Sequence, residues 1–294
     1  MSAVQRVDVP GVIDDRVTIS VIDGIADVKM NRADKRNALD NAMFTSLSAA
    51  GEYLKKLDGL RVVVLSGDGA SFCAGLDFSS FAQMAEAGAK ANAADKKPVE
   101  KSDMNAGAMV DGRITHMAQQ VCWVWQEVPV PVIAAVHGHA LGGGIQIALG
   151  CDIRIVHPET QLSVREVHWG LIPDMTGTLM LSRLVRPDIV KNLVFTARIF
   201  SGQEAHEMGI ATQLSHEVHA DAMTMAREIA GRSPDAVRGA KKLINLLANS
   251  GAAEQFAAER AIIGQLIGSA NQAEAVMSHF EKRPPNFVSG SLFR

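Results

Sequence analysis

The sequence predicts an α/β core followed by a helical C-terminal region, on three observations. Short β-branched apolar runs recur through the first half, glycine-rich turns follow several of them, and the pattern beyond Pro187 is helical. Strands first and helices last divide the chain into a sheet-bearing core over 1–200 and a helical part over 201–294.

The elements follow in order. Val17 to Ile22 and Ile25 to Met30 are strands joined by Asp23-Gly24, a two-residue turn that accepts the positive φ a tight hairpin needs. After the loop Asn31 to Leu39, Asp40 is the expected N-cap of an amphipathic helix from Met43 to Leu57. Val62 to Leu65 is a continuous apolar run ended by Gly67-Asp68-Gly69, the pattern of a strand buried on both faces. From about Met84 to Asp111 the chain is rich in Ala, Lys, Asp, Glu and Gly, too poor in large apolar side chains to build core, and is expected to be a mobile insertion beside the site. A helix from Ile114 to Gln126, a strand from Val132 to Val136, a glycine triplet, a helix to Leu149 and a strand from Ile153 to Val156 come next. Further on, Ser201 is an expected N-cap, Gly209 a stop, and Pro234 a first-turn residue.

Composition narrows the function classes. At 294 residues, with 47% hydrophobic and 21% charged residues, the chain has the profile of a globular protein with a large core. Its net charge of −3, with both signs interspersed, provides no basic stripe to neutralise a nucleic-acid backbone. Cys73, Cys122 and Cys151 stand far apart without CxxC spacing, so neither a disulfide framework nor a metal site is expected, and a reducing cytoplasmic setting fits. His137, His139 and His168 show no metal spacing. Val128 to Cys151 lacks Asp, Glu, Lys and Arg and imitates a membrane span, but two prolines, two histidines and a glycine triplet interrupt it. A buried strand followed by a buried helix explains the same apolarity, and no membrane is expected.

Three segments carry chemistry: SFCAGLD (71–77), HGHALGGGIQ (137–146) and REVHWGLIPDMTGT (165–178). A glycine-rich turn opening a helix brings bare amides to an anionic oxygen, because no Cβ blocks the approach and the helix N-terminus is electropositive. The triplet lacks both GxxxxGK[ST] and GxGxxG, so it is not a nucleotide loop; close helix packing is its other reading. Taken together, the first two segments resemble the two halves of the oxyanion hole in the crotonase superfamily, the enoyl-CoA hydratase/isomerase family. The resemblance runs from NRADKRNAL (31–39) through Ser233-Pro234, Lys241 and Lys242 to FEKRPPNF, leaving out only the first residues and the insertion.

The resemblance implies a spiral of ββα units, an acyl-CoA substrate with coenzyme A as part of it and no separate cofactor, and a homotrimer or a dimer of trimers. It carries the thioester-oxygen donors over to the amides of Leu76 and Gly143, and the coenzyme A loop to Lys35, Arg36 and Ala38, which otherwise read as a solvated basic turn. Ala74, Asp77, Gly142, Gln146 and Pro173 are expected beside the substrate. Taking a proton next to a thioester throws charge onto its oxygen, and one preorganised donor there is worth roughly 3 kcal/mol.

Glu166 is the acid/base candidate: Val164, Val167, Trp169, Leu171 and Ile172 make an apolar setting that favours its neutral form. Asp174, eight positions on, resembles the second carboxylate of the dienoyl-CoA isomerase branch. Gln146 occupies the position that supplies a second glutamate in hydratases, and an amide cannot act as a base. Isomerisation is therefore favoured. A hydratase using Glu166 with a water held by Gln146, and a catalytically silent binder of CoA esters, are the alternatives. Cys73 has no indicated base and reads as a small buried side chain. No GxSxG context supports a Clp-type serine peptidase of similar spiral fold.

Overall fold

The computed structural model describes residues 5–77, 109, 112–248 and 251–286; apart from Met109, the expected insertion at 84–111 lies outside them. Strands β1 (Gln5–Val7), β2 (Val17–Ile22) and β3 (Ile25–Met30) form an antiparallel meander. Asp23 at φ 50° and Gly24 at φ 79° make the expected hairpin turn. Helix α1 (Asn41–Leu54) starts where Asp40 takes the Met43 amide on its side chain. Next come β4 (Val62–Gly67), α2 (Met117–Glu127), β5 (Val132–Val136), β6 (His139–Leu141), α3 (Gly143–Gly150), β7 (Ile153–Val156) and β8 (Gln161–Ser163).

The main sheet among the described residues has the order β1-β2-β3-β4-β5-β7-β10, parallel from β3 onward, where β10 is Gln213–Leu214. After leaving this sheet, the chain drops into a second layer before each helix. There Leu39 bridges Leu76, Cys73 bridges Ala140, and β6 pairs with β8, all in parallel, with β9 (Phe200–Ser201) antiparallel at the end. Each turn of this β-β-α spiral thus sets one short extended segment beside the next. The short second-layer strands β6 and β8 are absent from the sequence reading because three residues are too few to establish a period.

Burial explains the apolar runs. On β4, Val63 and Leu65 face the core with the inner helices, while Val62 and Val64 join Ile133, Ala135 and Ile155 against Val218, Ala222 and Ala226 of α7 (Val218–Ala230). A parallel strand covered on both faces needs no polar alternation. The sheet continues past residue 200, since β10 pairs with β7 and α7 covers it.

Helices α4 (Gly177–Leu184), α5 (Pro187–Thr196) and α6 (Gly202–Glu207) precede β10, with a Ser201–Glu204 capping box at α6. Helices α8 (Pro234–Ala248), α9 (Ala252–Leu266) and α10 (Ala270–Phe280) follow α7. Among the described residues, no helix is long and apolar enough to cross a membrane.

Candidate active site

The second layer brings the three chemical segments together. Leu39 donates to Gly75 O (2.8 Å) and accepts from the Asp77 amide (3.0 Å), so the Leu76 peptide, lying between them, turns its own N–H the other way. Leu141 donates to Cys73 O (3.1 Å), which locks this segment to the strand entering the glycine triplet. Gly75 sits at φ 91°, and a Cβ there would lie 2.6 Å from Leu141 O, so only glycine allows the two segments this approach. Gly143 is the first residue of α3, at its electropositive end. Among the described residues, neither the Leu76 nor the Gly143 amide donates a hydrogen bond to protein.

Both amides line a cleft of about 840 Å³ together with Glu166. Lys35, Arg36, Ala38, Ala74, Asp77 and Gly142 line it too, whereas Gln146, Pro173 and Asp174 do not. Glu166 opens a 3-10 turn, Glu166–Trp169, and is 9% exposed. It stands beside the triplet: a Cβ on Gly142 would be 3.3 Å from its Oε1. That oxygen accepts from Gln146 Nε2 at 2.6 Å, while Oε2 has no hydrogen-bond partner among the described residues. Burial pushes the Glu166 carboxyl up to about 7, opposed by its hydrogen bonds.

Gln146 is fully buried and occupied at both ends. Its Oε1 accepts from the amides of Met175 (3.0 Å) and Gly177 (2.9 Å), which orients Nε2 toward Glu166. The residue links the glutamate to the turn that carries Asp174. Asp174 is half-buried and pushed up to about 7, by burial first and then by the charges of Glu166 and Glu259.

The basic loop is tied down by a residue within it to which the sequence reading gave no role of its own. Asn37, fully buried at φ 56°, accepts from the Arg32 amide (2.8 Å) and donates to Asp68 O (2.9 Å) and Ser71 O (2.7 Å). Arg36 O in turn accepts from the Ala74 amide (2.9 Å), so the loop and the Leu76 segment move as one piece. Asp77 is paired with Arg32 at 2.6 Å. Trp169 and His279 also line the cleft, with ring centroids 4.5 Å apart, and join it to the C-terminal helix α10. Only their shared place in space signals a role; 110 residues of chain separate them.

Two backbone amides and a buried carboxylate share one cleft on a two-layer β-β-α spiral, an arrangement able to hold an anionic oxygen beside a group that can carry a proton. The chain matches the family model described as enoyl-CoA hydratase/isomerase over residues 21–290, and it belongs to that family, within the crotonase superfamily. Among curated relatives, it is 31% identical over 272 residues to mouse enoyl-CoA hydratase domain-containing protein 2, mitochondrial, covering 90% of this chain and 84% of the relative. It is 30% identical over 271 residues to mouse methylglutaconyl-CoA hydratase, mitochondrial, covering 90% and 79%. Among solved structures, an enoyl-CoA hydratase/isomerase from Pseudoalteromonas atlantica T6c superposes with a TM-score of 0.79 at 25% identity, covering 93% of this chain and 100% of that one.

Proposed function

We propose that the protein shifts double bonds in an unsaturated acyl-CoA, with Glu166 and Asp174 moving the protons and the Leu76 and Gly143 amides holding the thioester oxygen. The observation that carries this is the Glu166 carboxylate, with one oxygen held by Gln146 and the other unpartnered in the same cleft as two undirected amides. Glu166 takes a proton from a carbon conjugated to the thioester, and the electron pair moves to the thioester oxygen, where the amides stabilise it. A proton returned to another carbon collapses the enolate to the isomer, so no atom is gained or lost. Asp174, coupled to Glu166 by charge, is the second proton carrier. Lys35, Arg36 and Ala38 receive coenzyme A, and no separate cofactor is required. Oligomerisation as a trimer or a dimer of trimers, in a cytoplasmic setting, completes the reading.

Hydration is the second reading, favoured by the hydratase names of the relatives. Against it, the acceptor oxygen of Gln146 is already taken by two backbone amides, leaving nothing on that side chain to draw a proton from a water. Turnover of enoyl-CoA and dienoyl-CoA esters, with solvent-deuterium incorporation next to the thioester, separates the two readings and a silent CoA-ester binder. Glu166→Gln and Asp174→Asn are each expected to cost on the order of a hundredfold or more in kcat. An intact Asp174→Asn together with a dead Gln146→Ala hydratase would overturn the isomerase reading.

A further inference from the structure

Beyond the cleft, one buried acid has no part in the mechanism above. Glu259 lies on α9, 3% exposed, and reaches the turn between Asp174 and α4. Its Oε2 accepts from the Thr176 amide (3.3 Å) and from Gln119 Nε2 (3.0 Å), and its Oε1 from Thr178 Oγ1 (2.8 Å). Gln146 takes the amides on either side, Met175 and Gly177, so three consecutive N–H groups of one turn are shared between two side chains. Thr176, between them, is held at φ 71°, a left-handed backbone that a threonine adopts only when its surroundings impose it. The Gln146 grip comes from the helix that also carries the Gly143 amide. The Glu259 grip comes from the C-terminal region, more than eighty residues away.

We propose that Glu259 is a positioning residue for Asp174, making the C-terminal helix α9 part of the proton-transfer site. This rests on the reading of Asp174 as a proton carrier. Two effects follow from one carboxylate: its acceptor oxygens hold the turn in place, and its charge acts on the neighbouring acid. Among the described residues, the charges that act on Asp174 come from Glu166 of the 3-10 turn and Glu259 of α9, and the Cys122 thiol of α2 feels the charge of Asp174 in turn. Both carboxylates favour the protonated form of Asp174, in the same direction as burial. Among the described residues Arg260, next in sequence, makes no ion pair with Glu259; its guanidinium donates to Gln119 Oε1 (3.2 Å) and Ile114 O (2.9 Å).

The experiment uses the full-length protein and two readouts, steady-state turnover of a dienoyl-CoA and carboxyl-carbon NMR titration of Asp174 without substrate. Glu259→Gln can keep its contacts, because the amide oxygen can accept at Thr176 and Gln119 while the amide nitrogen donates to the Thr178 hydroxyl. It removes only the charge, and the Asp174 midpoint is expected to fall by on the order of one pH unit with KM unchanged. Glu259→Ala also releases the turn, and kcat is expected to drop at least tenfold while KM stays within about threefold. Gln255→Ala is the control: it loses contacts from the same helix to Thr178 Oγ1 (2.9 Å) and to the Glu259 carboxyl, but keeps that carboxyl and its Thr176 contact, and should move the Asp174 midpoint far less than Glu259→Gln does. An unmoved Asp174 midpoint in Glu259→Gln, or a folded Glu259→Ala with full kcat, overturns the inference. If wild-type protein turns over no acyl-CoA yet the midpoint moves, the proposed reaction fails and the coupling of Glu259 to Asp174 stands.

Discussion

At the scale of residues, the proposed site pairs Glu166, which lines the cleft, with Asp174, which lies outside that lining, and both carboxyls are pushed toward neutrality. Both Glu166 and Asp174 are pushed up to about 7, so near neutral pH each is populated in both protonation states, as a pair that must take and return protons requires. The rate is expected to follow a bell centred near neutrality: it rises as the accepting carboxyl ionises and falls as the donating one loses its proton. A profile flat from pH 5 to 9 would remove both groups from the chemistry. Stability has its own signature. Because the folded pKa of Glu166 exceeds its ordinary value of 4.5, the folded state keeps a proton that the unfolded chain has released, and stability is lost as pH rises from about 4.5 through 7. Glu166→Gln abolishes that loss. The variant should match wild type in denaturant melts at pH 4 and exceed it at pH 8, by up to on the order of 3 kcal/mol. Gln146→Glu sets a carboxylate against Glu166 across the present 2.6 Å contact, where one proton has to be shared. It should move the rising limb to higher pH and increase any hydration rate.

At the scale of elements, activity depends on three extended segments keeping register in the second layer. A Cβ on Gly144 would lie 2.3 Å from Cys73 O, so Gly144→Ala must push α3 away from the segment that ends at Leu76. The Leu76 and Gly143 amides, the proposed oxyanion donors, then separate. Loss of one donor is worth roughly 3 kcal/mol of transition-state stabilisation, so kcat is expected to fall on the order of a hundredfold even in the fraction that folds. Asn37→Ala leaves Asp68 O, Ser71 O and the Arg32 amide without their partner. With roughly 1–3 kcal/mol for each buried group left unsatisfied, it should destabilise the protein and raise KM for acyl-CoA through the loosened Lys35–Ala38 loop. Unchanged melting and KM would show that water replaces Asn37 without cost.

At the scale of the whole molecule, the described chain leaves apolar surface uncovered. Leu243, Ile244 and Leu246 on α8 are 69%, 67% and 73% exposed, beside a cleft that includes Leu149, Met180 and Ile229. Contiguous apolar surface of this kind marks contact sites, and the expected trimer or dimer of trimers would have reason to bury it. Sedimentation should give an assembly that Leu243→Asp or Ile244→Asp weakens; a stable wild-type monomer would end the oligomer expectation. The C-terminal helices also close the site from within one chain: Trp169 meets His279 of α10, and Glu259 of α9 meets the Asp174 turn. Truncation after α8 is therefore expected to abolish turnover as well as assembly.

The sequence by itself determined the local and the strongly patterned features. The hairpin at Asp23-Gly24, the Asp40 cap, the strands Val132–Val136 and Ile153–Val156 and the Ser201 cap follow from φ preferences, capping chemistry and periodicity within a few residues. The segments bearing Leu76, Gly143 and Glu166 stood out through glycine runs and a carboxylate among apolar residues, and the resemblance to the enoyl-CoA hydratase/isomerase family is what singled out Leu76 and Gly143 within them. Tertiary structure alone decided which of these meet. The second-layer pairs Leu39 with Leu76 and Cys73 with Ala140 join residues far apart in the chain through single bridges, which leave no periodic trace. Gln146 looked like a substrate contact from its position after the triplet, and only the fold shows its oxygen committed to the Met175 and Gly177 amides. Asn37 was legible only as part of the coenzyme A loop, and His279 and Glu259 carried no local signal: an asparagine in a turn, a histidine and a glutamate on helices acquire a role of their own only from the groups the fold places against them.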